Sequence, residues 1–319
     1  MNDNRTITRR YNTFPKADIR WLWHPYIARG KICVVQGDPA SGKTTLVLAI
    51  AALLTMGRPM PEDNGKPLCG EVIYQSAEDH VGDTLNPRLT AMGADCSKIS
   101  VIAEPFTDIE KDCETLESAI REVGALLCVL DPLQGFTGKG SDMNRAADMR
   151  RLMGGLALVA ERTGCAIIAI GHMTKNAGAK SLYRGLGSID IAASARSVLL
   201  VGRSVDDPTV RVVTHVKSSL APEGEPLAFT IGKNSVVEFL GRYDGEIGPF
   251  DDPPGEDGKR EGAAAIMLEM LADGPVRCAE IYAACLAAGI GERTVDTAKK
   301  ELGVKSVRRS DGWYWMVEQ

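Results

Sequence analysis

The stretch Gly37-Asp38-Pro39-Ala40-Ser41-Gly42-Lys43-Thr44, with Thr45 behind it, decides the reading of this chain. It follows a β-branched apolar run at 32–36 and opens a helical pattern that carries Leu46, Ile50 and Leu54. A G-x-x-x-x-G-K-[ST] match between a strand and a helix implies a loop that wraps phosphates. Its glycines let backbone N–H groups turn inward, and the helix start adds unpaired donors. On this reading Lys43 reaches the β- and γ-phosphates of ATP, and the Thr44 hydroxyl ligates Mg²⁺.

The rhythm on either side of the loop is that of an α/β protein. Short apolar runs at 32–36, 71–75, 99–103, 126–130 and 166–170 alternate with helical patterns at 43–55, 109–123 and 144–162. Such alternation predicts a mainly parallel sheet covered by helices. After 195 the runs at 197–201, 210–216, 227–231 and 236–240 are separated only by short turns, which predicts antiparallel strands extending the sheet. Residues 1–29 read as an irregular lead-in, with Trp21, Trp23 and Tyr26 packing and, as an alternative, lying beside the nucleotide.

Residues 244–261 hold seven acids, two bases, three prolines and four glycines, a composition that cannot bury itself. We take 1–243 as the ATPase domain with its lead-in, 244–261 as a linker and 262–319 as a small second domain. Three short helical patterns and two strands at 305–309 and 313–317 give the latter the order of a winged helix-turn-helix. Between Arg293 and Arg309 lie six bases (Arg293, Lys299, Lys300, Lys305, Arg308, Arg309) against Asp296 and Glu301, a candidate face for duplex DNA.

The composition narrows the class. The 319 residues are 44% hydrophobic and carry a net charge of −5, so the chain builds a core but shows no overall polyanion-binding charge. Eight isolated cysteines with no C-x-x-C pair read as reduced core thiols of a cytoplasmic protein. No apolar stretch is long enough to predict a membrane span.

Three further positions complete the expected site. The apolar run 126–130 ends in Asp131, a carboxylate at the edge where parallel sheets place ligands, and so a second Mg²⁺ ligand. Pro132 follows it, so the acid that activates water must come from elsewhere. Glu78, after the run 71–75, is the expected base, with Asp79 as its close rival. His172, ending the run that begins near Cys165, is expected to sense the γ-phosphate or the attacking water.

The combination GDPASGKTT, VIYQSAEDH, LLCVLDPL, AIIAIGHMTK and AARSVLLV resembles the RecA-like ATPases of plasmids and phages, in particular hexameric replicative helicases of the RepA type, over roughly residues 20–241. The resemblance implies a RecA-like core and matches Glu78 to the catalytic glutamate and His172 to the strand-end histidine. It further implies a hexameric homo-oligomer with ATP at the interfaces and Arg196 as an arginine finger. Lys217 is matched to a lysine brought near a neighbour's nucleotide. The segment 173–190, with Lys175, Lys180 and Arg184, would face single-stranded DNA in a central channel. The expected activity is an ATP-hydrolysing DNA motor. The alternatives are an ATP-controlled DNA-binding regulator or loader, and, less in keeping with the tail, a small-molecule kinase.

Overall fold

The structure, a computed structural model, describes residues 8–103, 106–138, 146–172, 189–207, 209–245, 256–271, 274–287, 290–309 and 312–316. The chain divides into two units, Met1–Phe250 and Asp251–Gln319.

The first unit begins with a two-stranded ribbon, β1 (Trp21–Trp23) and β2 (Ile27–Ala28), where the sequence predicts irregular chain. Packing explains it: Trp23 and Tyr26 are buried, the Trp23 indole donates to the Pro61 carbonyl at 2.9 Å and the Tyr26 hydroxyl to that of Glu225 at 2.7 Å. The chain continues through β3 (Ile32–Gly37), α1 (Lys43–Thr55), β4 (Val72–Ser76), α2 (Asn86–Ala91), β5 (Ile99–Ser100), α3 (Ile109–Val123), β6 (Leu127–Asp131), α4 (Ala146–Thr163), β7 (Ala166–His172) and α5 (Ile189–Ser194). It then runs through β8 (Ser197–Arg203), β9 (Val210–Ser218), β10 (Leu227–Ile231) and β11 (Val237–Arg242).

These strands form one nine-stranded sheet in the order β11-β10-β9-β8-β3-β7-β6-β4-β5. Pairing is parallel from β8 through β5 and antiparallel from β8 through β11. This is the RecA-like core with its antiparallel extension. Apolar residues cover both faces of the central strands: one cluster joins β3 residues Cys33 and Val35 to α1, the other joins Ile32 and Val34 to α3 and α4. A strand buried on both faces needs a continuous apolar run, which is why β6 reads LCVLD with every residue buried.

The predicted strand at 99–103 is shorter, because the Ile102 N–H donates to the Gln75 side-chain oxygen at 3.0 Å instead of to the β4 backbone.

The second unit contains α6 (Glu256–Leu271), β12 (Val276–Arg277), α7 (Cys278–Ala287), α8 (Glu292–Glu301), β13 (Lys305–Arg309) and β14 (Gly312–Met316). Its strands pair antiparallel in the order β12-β14-β13, the winged arrangement expected, with one short strand beyond those predicted. Its core includes Met267, Ile281, Val295 and Trp315. Helix α6 starts six residues before the predicted domain start, within the stretch read as linker; Glu256 and Asp257 open it, where a helix favours negative charge.

Candidate nucleotide-binding site

Strand β3 is central in the sheet, and its C-terminal end releases the loop 37–42 between β7 and β8. Two glycines are required there, Gly37 by space and Gly42 by its left-handed backbone. A Cβ on Gly37 would collide with the Val201 carbonyl, and one on Gly42, at φ +100°, would lie 2.8 Å from Ile231 Cδ1. Ala40 holds a left-handed φ of 59°, which costs a non-glycine residue about 1 kcal/mol. The Arg203 guanidinium donates to the Ala40 carbonyl at 3.3 Å from the end of β8.

Lys43 is only 4% exposed, and its ammonium donates to the Gly37 and Asp38 carbonyls at 2.9 and 2.7 Å. Desolvation pulls its pKa down to about 8, against the opposing fields of Asp131, Asp38 and Glu78. Ser41 Oγ is buried and has no hydrogen-bond partner among the described residues. An orphaned hydroxyl, a lysine kept beside it and two positions that exclude a Cβ fit a polyphosphate chain.

The expected metal pair is brought together. Asp131 is buried, and the Tyr74 hydroxyl donates to its Oδ2 at 2.7 Å, while the Thr44 hydroxyl interacts with the same carboxylate. Burial raises the Asp131 pKa, and the two hydroxyls act the other way. One hydroxyl and one carboxylate are hard oxygen donors, the set that suits Mg²⁺. The sequence reading does not include Tyr74. Its hydroxyl is placed by the neighbouring of β4 and β6, a pairing that local sequence does not reveal.

Glu78 and Asp79 follow β4 at the same edge, their backbone N–H groups tied to Ser76 Oγ at 3.3 and 2.9 Å. The rivals differ: Asp79 pairs with Arg88 at 3.4 Å, whereas Glu78 is exposed and its charge acts on Lys43. His172 ends β7 in register with Gly37.

Arg196 lies at the other end of the sheet. Its N–H donates to the Ile32 carbonyl at 3.1 Å, where β3 begins, and the residue is exposed. Five residues of strand, roughly 16 Å, separate that level from Gly37. Lys217 sits beside it and donates to the Ala192, Ala193 and Ala195 carbonyls, each at 2.8 Å, so its ammonium closes the C-terminal end of α5. Lys175, Lys180 and Arg184 lie outside the described residues.

In the second unit, Lys299 is drawn toward the core, 4.4 Å from the Trp315 ring centre and donating to Ser306 Oγ at 2.6 Å. Arg293, Lys300, Lys305, Arg308 and Arg309 are exposed. All eight cysteines are free thiols, and among the described residues no helix is long and apolar enough to cross a membrane.

Comparison with known proteins places this geometry. The family model described as an AAA domain matches residues 3–178. The DNA repair protein RadA of Halalkalibacterium halodurans is 32% identical over 168 residues, covering 51% of this chain and 33% of that protein. The DNA repair protein RadA of Bacillus subtilis is 28% identical over 221 residues, covering 67% of this chain and 42% of its own length. The chain thus spans less than half the length of these curated relatives. Among solved structures, the RadB recombinase aligns at a TM-score of 0.49 and 19% identity, over 66% of this chain and 91% of that one.

The RadA relatives, described as DNA repair proteins, overturn the likeness to RepA-type replicative helicases. The phosphate loop with Lys43 and the strand ending in Asp131 mark a P-loop ATPase and do not by themselves tell a helicase from a repair protein.

Proposed function

The chain belongs to the AAA domain family, and from that premise we propose that it is an ATPase that associates with DNA and uses bound ATP to control that association, without separating strands. The observation that carries the reading is the convergence of Lys43, Thr44 and Asp131 at the end of β3 and β6. The RadA likeness supplies the choice of DNA.

In this reading the N–H groups of the loop and helix α1 cradle the phosphates, with residues Gly37, Asp38, Pro39, Ala40, Ser41, Gly42, Lys43, Thr44 and Thr45 forming the wall. Lys43 exchanges the Gly37 and Asp38 carbonyls for phosphate oxygens, whose negative charge is the stronger partner for an ammonium. Thr44 and Asp131 hold Mg²⁺, and Tyr74 fixes the Asp131 carboxylate. When bound, the ion neutralises charge on the phosphates during transfer. Glu78 orients the attacking water and takes its proton, and His172, beside Gly37 in the sheet, reports the phosphate state to the segment that follows it.

Arg196 is too far along the strand to serve its own loop, so its role is toward a neighbouring copy in a homo-oligomer. Lys175, Lys180 and Arg184 are assigned to DNA by charge and by their place after β7.

The test measures ATP turnover with and without single-stranded DNA, DNA affinity of Glu78→Gln with and without ATP, and strand displacement from a forked duplex. The expected result is DNA-stimulated turnover, tighter DNA binding in the ATP-locked variant and no displaced strand. ATP-dependent displacement, or turnover and DNA binding that ignore each other, would overturn the reading.

A further inference from the structure

Four of the nine bases of the second unit lie on its strands. Strands β12, β13 and β14 contain four bases, Arg277, Lys305, Arg308 and Arg309, and no Asp or Glu. Antiparallel pairing sets Arg308 opposite Trp313, and both Val307 and Arg277 opposite Tyr314. Side chains alternate across a strand, so Arg308, Trp313 and Trp315 share one face and Arg277, Arg309 and Tyr314 the other.

Each face carries guanidinium groups laid against a ring. Arg309 lies 4.7 Å and Arg277 5.8 Å from the Tyr314 ring centre, and Arg277 Nε also donates to the Tyr314 hydroxyl at 3.0 Å. Arg308 lies 5.8 Å from that of Trp313, which is itself 51% exposed. Arg308 and Arg309, each set over a ring, lose less side-chain entropy on binding paired phosphate oxygens.

Asp296 and Glu301, the two acids between Arg293 and Arg309, each have a partner within the unit. Asp296 accepts from the Tyr282 hydroxyl at 2.6 Å, and Glu301 from Arg260 at 3.0 Å. Among the described residues no carboxylate forms an ion pair with Arg293, Lys300, Arg308 or Arg309. On α8, the exposed Arg293, Thr297 and Lys300 recur at i, i+4 and i+7, one stripe along the helix that precedes the ribbon. A helix stripe together with a two-stranded ribbon is broader than a single strand needs and matches a groove with its flanking phosphates.

We propose that the β13–β14 ribbon and the exposed stripe of α8 form a grip on the phosphate backbone of duplex DNA. The inference rests on the DNA-associated reading of the chain only for the choice of polyanion. The charge, the rings and the satisfied acids are properties of this unit alone.

The experiment uses the full chain without nucleotide and a short labelled duplex, read by fluorescence anisotropy between about 50 and 200 mM salt. With about four phosphates neutralised, affinity is expected to fall roughly 10²-fold across that range. Arg308→Ala/Arg309→Ala should weaken binding and reduce the log–log salt slope by about two, whereas Arg308→Lys/Arg309→Lys should keep the slope. Because all of β13 is exposed, thermal unfolding of both variants should match the parent. An unchanged slope in the alanine variant overturns the proposal, as does equal affinity of the parent for polyglutamate, which would make the partner an acidic protein surface. If DNA fails to stimulate ATP turnover while the slope behaves as expected, the reading of the ATPase unit fails and this one stands.

Discussion

Lys43 and the ribbon cations Arg308 and Arg309 meet phosphate on opposite terms. Lys43 is sealed between glycines that admit no Cβ, has lost enough water to bring its pKa down to about 8, and is held by two carbonyls of its own loop. The ribbon arginines are exposed and steadied by rings. A buried cation is costly to keep, and it serves one ligand in one place. An exposed one costs little, is screened by salt, and accepts any phosphate backbone of suitable spacing. On these proposals one chain would carry a discriminating phosphate site and a tolerant one, and each can be altered with the other left as a control.

The largest effect expected is at the discriminating site. Glu78→Gln should keep Mg-ATP binding, measured by equilibrium titration, and lose at least about 10² in turnover, because a positioned base contributes that much or more. Duplex affinity measured without nucleotide should not move. Near-normal turnover would return the role to Asp79, which its pairing with Arg88 currently occupies.

The next effect separates buried from exposed charge by pH. The folded Lys43 pKa, about 8, lies below its unfolded value, 10.5. The unfolded chain therefore binds more protons between those values, and stability rises with pH through that window. Between pH 7 and 9.5 the gain is on the order of 2 kcal/mol, read as the difference in unfolding free energy between the parent and Lys43→Met. A difference that stays flat would show that the lysine is not desolvated and would remove the contrast with the ribbon.

Smaller again is the consequence of Tyr74→Phe, which deletes one hydrogen bond to Asp131 and nothing else of size. Losing a partner that orients a metal ligand typically costs about 10-fold, so Mg²⁺ should support ADP binding at about 10-fold higher concentration, with metal-free ADP binding unchanged. If both fall together, Tyr74 acts on the fold and not on the carboxylate. Smallest is Trp313→Ala, expected to weaken duplex binding by a few-fold through the lost stack on Arg308, with stability within about 0.5 kcal/mol of the parent.

The same two regions show what a sequence discloses. The phosphate loop is one contiguous segment with required residue types, and Asp131 ends a run whose burial on both faces leaves no ambiguity, so both were legible. Tyr74 was not, because its partner is 57 positions away and meets it only through the order of strands in the sheet. Likewise the count of bases from Arg293 to Arg309 was visible in sequence, but not their sorting. Lys299 turns to the core at Trp315, while Asp296 and Glu301 are taken by Tyr282 and Arg260. The strand at 99–103 was overextended because a glutamine side chain, Gln75, took over a backbone acceptor's place.

Lys217 has the most to say about how the chain is braced. An ammonium has three hydrogens, and here each meets a carbonyl at the end of α5. No donor is left for an outside oxygen, whereas the nearby Arg196 is exposed. The short helix α5 is thereby pinned to β9. Replacing Lys217 with a residue that has no donors would strip three carbonyls at the end of that helix of their shared partner and should loosen α5 against the sheet.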